Sequence, residues 1–252
     1  MRIDLNADLG ESFGRWTLGD DAAMLAIVTS ANIACGFHAG DPLVMRTTLE
    51  IAKANGVAVG AHVSYRDLAG FGRRYVDASA AELEGDVLYQ LGALQGVARA
   101  VGSGIQYVKP HGALHNRVQH DPVHAQAVVD AVVPFGLPIM GMPGSTILEL
   151  AAEAGLATLT ECFADRAYNR DGSLVSREVA GAVIHEPAVV AARAVRMATE
   201  GTVETIDGGM LELGHPDSIC VHSDTNGAVD RARAVRAALE AAGVEVAPAV
   251  AP

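Results

Sequence analysis

Short runs of β-branched and other apolar residues alternate along this chain with longer stretches whose apolar positions recur at helical spacing. The short runs are Ile3–Asn6, Ala31–Cys35, Val57–Ala61, Gln106–Lys109, Ile139–Met142, Ala157–Cys162 and Ser218–Val221. The longer ones are Pro42–Asn55, Ser79–Val101, Asp121–Val133, Gly144–Ala154, Glu186–Thr199 and Asn226–Ala242. Strands alternating with helices predict βα units around a parallel sheet, and this number of units predicts an α/β barrel, complete or one unit short. The helix ends carry their own signals: Asp41 before Pro42 and Gly56 beyond Asn55, Ser79 with Glu82 at capping-box spacing, and Asp121 before Pro122. One barrel domain is expected over residues 1–242, with the Ala/Val/Pro-rich residues 243–252 as a frayed tail.

Two stretches break the alternation. Tyr65–Val76 contains Gly70-Phe71-Gly72-Arg73-Arg74 and is too polar and glycine-rich for an element interior. It is expected to be a long βα loop lying over the site. Val203–Leu213 places Asp207-Gly208 between apolar alternations, which predicts a hairpin beside the barrel.

Composition narrows the partners. Half of the 252 residues are hydrophobic and only 4% aromatic, in keeping with Ala-, Val- and Leu-rich helices packed on a sheet. With 18 basic and 30 acidic residues the formal charge is −12, and the basic residues are scattered, which argues against nucleic-acid binding. No apolar run approaches the roughly 20 residues that span a bilayer. The chain also starts directly on the strand-like Ile3-Asp4-Leu5, so a cytoplasmic location without membrane attachment is expected. Cys35, Cys162 and Cys220 are odd in number, far apart and set in apolar runs, which reads as reduced packing thiols. Only Cys35 has a polar neighbour, His38.

The chemistry gathers at the strand ends. At or just after successive strands stand Asn6, Asp8 and Glu11; His38 and Asp41; His62; Lys109, His111 and His115; Glu161, Asp165 and Arg166; and His222, Ser223 and Asp224. In a barrel the carboxyl ends of the strands converge on one face, so these distant groups are expected around one pocket. Asp41 is expected to cap a helix instead. Histidines with nearby carboxylates suit a divalent metal, with Asp8, His62, His111 or His38 as ligands, although no His-Glu-x-x-His or Cys-x-x-Cys spacing specifies one. Metal-free acid–base work by Asp8, His62, His111 or Asp224 is the other use of such a ring. Lys109, one of two lysines in the chain, is placed to stabilise an anion or oxyanion.

Nucleotide motifs are missing from the sequence. There is no Gly-Lys pair for a phosphate loop and no Gly-x-Gly-x-x-Gly after the first strand. Any use of ATP is therefore expected to be supplied by a partner.

Five strings make the chain recognisable: Asp4-Leu5-Asn6-Ala7-Asp8-Leu9-Gly10-Glu11-Ser12, Ser30 to Asp41 with Asn32 and Cys35-Gly36-Phe37-His38, Gly70-Phe71-Gly72-Arg73-Arg74, Val108-Lys109-Pro110-His111-Gly112-Ala113-Leu114, and Phe163-Ala164-Asp165-Arg166-Ala167-Tyr168. Together they closely resemble the LamB/YcsF family, described as the A subunits of 5-oxoprolinase, from Met1 to about Ala242. The resemblance implies a seven-stranded TIM-like barrel similar to the glycoside hydrolase/deacetylase superfamily. It also implies ATP-dependent opening of 5-oxo-L-proline to L-glutamate together with partner subunits B and C. On that basis Asp8, His62, Lys109, His111 and Asp224 are the expected catalytic residues. Asn6, Glu11, Asn32, His38, Arg73, Glu161, Asp165, Arg166 and His222 are expected to bind substrate. The chain departs from the family pattern at Val63-Ser64, where Pro-Gly is usual; at His115, where Tyr is usual; at Ser223, where Gly is usual; and at Ala7, which is often Cys. Two other readings stay open: a metal-dependent carbohydrate deacetylase, and a non-catalytic subunit that binds 5-oxoproline.

Overall fold

A computed structural model describes residues 1–252. Strands β1 (Arg2–Leu9), β2 (Ser30–Ala34), β3 (Ala58–Val63), β4 (Tyr107–Pro110), β5 (Ile139–Gly141) and β6 (Thr158–Phe163) pair in parallel and in chain order. A hairpin, β7 (Thr202–Glu204) with β8 (Met210–Glu212), stands apart as expected from Asp207-Gly208. Strand β9 (Ser218–Cys220) then pairs with both β6 and β1 and closes the seven-stranded barrel. The seven expected strands are all present, and β1 and β3 run further than expected, to Leu9 and Val63.

Around the barrel lie α2 (Pro42–Asn55), α3 (Ala80–Ala100), α5 (Pro122–Val132), α6 (Thr146–Glu153), α7 (Pro187–Glu200) and α8 (Ala228–Ala241), each within a few residues of its expected span. Two short helices, α1 (Asp21–Leu25) and α4 (Gly112–Arg117), were not among the expected elements. Local chemistry sets the ends. Asp41 accepts hydrogen bonds from the amides of Leu43 and Val44 at 2.8 and 3.0 Å, and Ser79 and Glu82 form the reciprocal capping box of α3.

The tail differs from expectation. After α8 the chain forms β10 (Glu245–Val246), which pairs with Arg2 and Ile3 of β1, and Val244 is buried. Apolar Val244 and Val246 find a place beneath the amino-terminal end of β1, so the segment is ordered against the barrel where a frayed tail was expected. No helix is long and apolar enough to cross a membrane.

The strand alternation divides the core into two environments. Ile3, Leu5, Ala7 and Leu9 of β1, with Ala31, Ile33, Val59, Val108 and Ile219, belong to the apolar layer packed under the helices. Residues of the opposite parity fill the barrel with polar groups: Asp4, Asn6, Asp8, Ser30, Asn32, Lys109, Glu161 and Ser218 are all buried. They are satisfied by one another. At the bottom, Asp4 accepts from Thr29, Ser30 and Ser218. Above it, Asn6 donates to Ser218 at 2.7 Å, Asn32 donates to Asn6 at 2.7 Å, and the Tyr107 hydroxyl donates to Asn32 at 2.6 Å. Gly60 makes room for Tyr107, since a side-chain carbon there would collide with its ring.

Candidate active site

The carboxyl ends of the strands open into a cavity of about 460 Å³. Asp8, His62, Lys109, His111 and His222 line it, with His115, Phe163 and Arg166. Lys109 stands at the centre of the floor. Its ammonium lies 3.0 Å from Asp8 Oδ1 and 2.9 Å from Glu161 Oε2, and donates also to Asn6 at 3.3 Å. Asn32 donates to the same Asp8 oxygen at 2.8 Å. Burial alone would drive the Lys109 ammonium towards neutrality, but Asp8, the Cys220 sulfur and Glu161 outweigh it and hold its pKa well above the usual lysine value. Burial likewise opposes ionisation of Asp8, yet His62 and Lys109 hold its carboxyl well below the ordinary range. The site therefore presents a fixed cation beside an ionised carboxylate that reaches the cavity.

Histidines surround this pair. His62 Nε2 is 3.3 Å from Asp8 Oδ1 and 3.0 Å from His111 Nδ1. His38 stacks on His111 with ring centroids 3.9 Å apart. Burial pushes the pKa of both His38 and His111 well below the usual imidazole value, so both are neutral. Glu11 is the opposite case. Burial, then the Asp8 and Asp224 charges, raise its carboxyl well above the usual value. Glu11, His38, His62 and His111 offer one donor atom each, all within 4.8 Å of one another. That set contains three of the four ligands expected from the sequence. Glu11 takes the place expected for Asp8, whose Oδ1 is occupied by Lys109 and Asn32.

Other expected residues stand behind the cavity wall. Asn6 and Asn32 are fully buried beneath Asp8 and Lys109 and hold those side chains in place. Glu161 pairs with Lys109 and with His115 Nε2 at 3.1 Å. Asp165 accepts from the backbone and ring of His222 at 3.0 and 2.9 Å and so fixes that ring towards Asp8. Arg166 donates to the carbonyls of Val175 and Ala182, which ties down the long connection between β6 and α7 even as it borders the cavity. Asp224 accepts from Arg73 of the Tyr65–Val76 loop, so that loop is fastened across the mouth. Cys35 is buried with its thiol pushed up to about 12, and all three cysteines are free and buried.

The sequence reading missed the far wall. Ser173, Leu174, Val175, Ser176, Arg177 and Glu178 line the cavity from the connection between β6 and α7. The signal was its length, the longest strand-to-helix link in the barrel, and an arginine in the middle of it. His115, Asn116 and Gln119 reach the cavity from α4 and the residues after it, because Gly112 adopts φ +56° and starts a helix directly after β4.

The family model described as "LamB/YcsF family" matches residues 3–252. The chain is 56% identical over 246 residues to the A subunit of 5-oxoprolinase from Kocuria rhizophila, covering 97% of each chain. It superimposes on the crystal structure of the lactam utilization protein from Thermus thermophilus with a TM-score of 0.92 at 46% identity, covering 98% of this chain and 100% of that one. A family 4 carbohydrate esterase from Streptomyces lividans shares the fold at a TM-score of 0.50 and 13% identity, covering 97% of this chain and 91% of that one. A match over nearly its whole length, joined to the strand-end motifs and the barrel that carries them, places the chain in the LamB/YcsF family.

Proposed function

We propose that the chain is the lactam-opening subunit of a 5-oxoprolinase: it holds 5-oxo-L-proline in the strand-end cavity and adds water to the ring carbonyl carbon. The observation that carries this reading is Asp8, kept ionised between Lys109 and His62 at the floor of a cavity of small-molecule size. The similarity to the A subunit of a 5-oxoprolinase and to a lactam utilization protein supplies the substrate class.

An unstrained five-membered lactam resists water, so its carbonyl oxygen is first phosphorylated with ATP. This chain has no phosphate-loop signature, and we assign that step to partner subunits B and C. Asp8 then takes a proton from water as the water oxygen bonds to the ring carbon. Lys109 stabilises the negative charge gathering at that centre. The ring C–N bond breaks and the nitrogen leaves as an amine, with His222 in reach to return the proton. The acyl phosphate that remains takes up a second water and releases phosphate and L-glutamate. Arg73 and Arg177, which line the cavity and both face Asp224, are the cations available to the substrate carboxylate and the phosphoryl group.

The purified chain is expected to bind 5-oxo-L-proline by calorimetry but to release no glutamate with ATP. Adding subunits B and C should start coupled release of glutamate and phosphate. Coupled turnover by the chain alone would contradict the division of labour, and absence of turnover in the full mixture would contradict the activity.

A further inference from the structure

Two imidazoles in the candidate site meet through atoms that should repel. His62 Nδ1 lies 3.0 Å from the Lys109 carbonyl, and His111 Nε2 lies 2.9 Å from the Phe71 carbonyl. A carbonyl oxygen only accepts, so each of these nitrogens carries its ring's proton and donates it. With each ring neutral, the remaining nitrogens, His62 Nε2 and His111 Nδ1, are both bare lone pairs, and they stand 3.0 Å apart. A third acceptor joins them: Glu11 Oε1 is 3.7 Å from His111 Nδ1 and 3.7 Å from His38 Nε2. That carboxylate oxygen is buried without a hydrogen-bond partner, and so are both ring nitrogens of His38. Buried polar atoms are almost always satisfied, and this many orphans in one cluster require a common explanation. A proton shared by His62 and His111 would reconcile those two rings and leave Glu11 and His38 as they are. One cation reconciles all four residues.

We propose that Glu11, His38, His62 and His111 hold a single divalent transition-metal ion through three neutral imidazoles and one carboxylate. The four donor atoms already lie within 4.8 Å of one another. Donors at about 2.0–2.2 Å from a tetrahedral ion stand roughly 3.3–3.6 Å apart, so the observed 3.0 and 3.7 Å separations need movements of a few tenths of an ångström and any wider pair must close by about an ångström. Nitrogen and oxygen donors of this kind suit zinc, manganese or nickel, and not calcium or magnesium. The two carbonyl contacts are the outer hydrogen bonds that fix the tautomer and aim of metal-binding histidines. Asp8 stays outside the set, since Lys109 and Asn32 already occupy its Oδ1. His62 and His111 also line the cavity, which gives the ion a way in.

The proposal does not depend on the reaction assigned to the site, because metal binding is read on the full-length chain by itself. Chelator-stripped protein titrated with Zn²⁺ in a calorimeter is expected to take up one equivalent, and Co²⁺ in its place is expected to give visible d–d bands. Glu11→Gln and His38→Ala should each weaken Zn²⁺ binding on the order of 100-fold. Anomalous scattering from wild-type crystals soaked in Zn²⁺ should give a single strong peak among the four donors, a test that stands even where a variant fails to fold. No saturable uptake by the wild type, unchanged affinity in both folded variants, or a peak at another location would overturn the proposal.

Discussion

Lys109 shows how much a single side chain carries in this barrel. Its ammonium is 1% exposed and faces two carboxylates, Asp8 and Glu161, that are themselves buried. Removing it leaves those charges uncompensated, and breaking a buried pair in this way costs about 3–5 kcal/mol. Lys109→Met is therefore expected to lower the thermal midpoint by many degrees, measured by calorimetry, whereas a fall of only a degree or two would mean that Asp8 and Glu161 find other partners. The same residue illustrates what was legible in the sequence. A lysine at a strand end beside Pro110-His111 pointed to the candidate site in the sequence, and the structure places it on the cavity floor. Asn6 and Asn32 were grouped with the substrate contacts because they share the motif strings, yet they lie a layer below, hydrogen-bonded to each other. Parity along β1 contained that information: Asp4, Asn6 and Asp8 point the same way, and only the last is near enough to the strand end to reach the cavity.

At the scale of elements, the caps and the loop over the site have separable effects. Asp41 caps α2 and also accepts from the Gly14 amide at 2.7 Å, and these backbone bonds, Gly14 first, hold its carboxyl below the usual 3.8. Asp41→Ala should cost about 1 kcal/mol. The cap's contribution is complete above pH 3.8 and is lost as the pH falls through the lower folded value. Urea midpoints of the wild type and Asp41→Ala should accordingly converge on acidification, and a difference that persists at low pH would contradict this assignment. The Tyr65–Val76 loop depends on Gly72, which has φ +64° and would bring a side-chain carbon to 2.8 Å from both His38 and His111. Gly72→Ala should therefore cost roughly 1–3 kcal/mol in strain. It should also lower coupled turnover by about 100-fold through misplacement of the histidines, and a variant with wild-type kinetics would show that the loop does not position them. The loop was legible from its glycines and arginines. Helices α1 and α4 were not, because five or six residues are too few for a 3.6-residue period to emerge.

Across the whole molecule, the fold separates an apolar layer, which holds the barrel to its helices, from a polar interior that rises from Asp4 to the cavity. The alternation of short and long periodic runs predicted the first, since it depends only on local pattern. The second depends on register: Asp8 opposite Asn32, His62 opposite Lys109, and Glu161 opposite Ser218 bring into contact residues that no spacing in the sequence relates. The pairing of β10 with β1 was hidden for the same reason, two residues being too short a strand to announce themselves. The far wall from Ser173 to Glu178 comes to the cavity only through tertiary folding of the connection that Arg166 ties down.

The central claim is that Asp8 activates water for opening of the lactam ring, and the near-isosteric Asp8→Asn tests it most directly. With subunits B and C, 5-oxo-L-proline and ATP, this variant should release glutamate on the order of 10²–10⁴-fold more slowly than the wild type, while still binding 5-oxo-L-proline. Glutamate release at the wild-type rate by a folded Asp8→Asn variant would contradict the account.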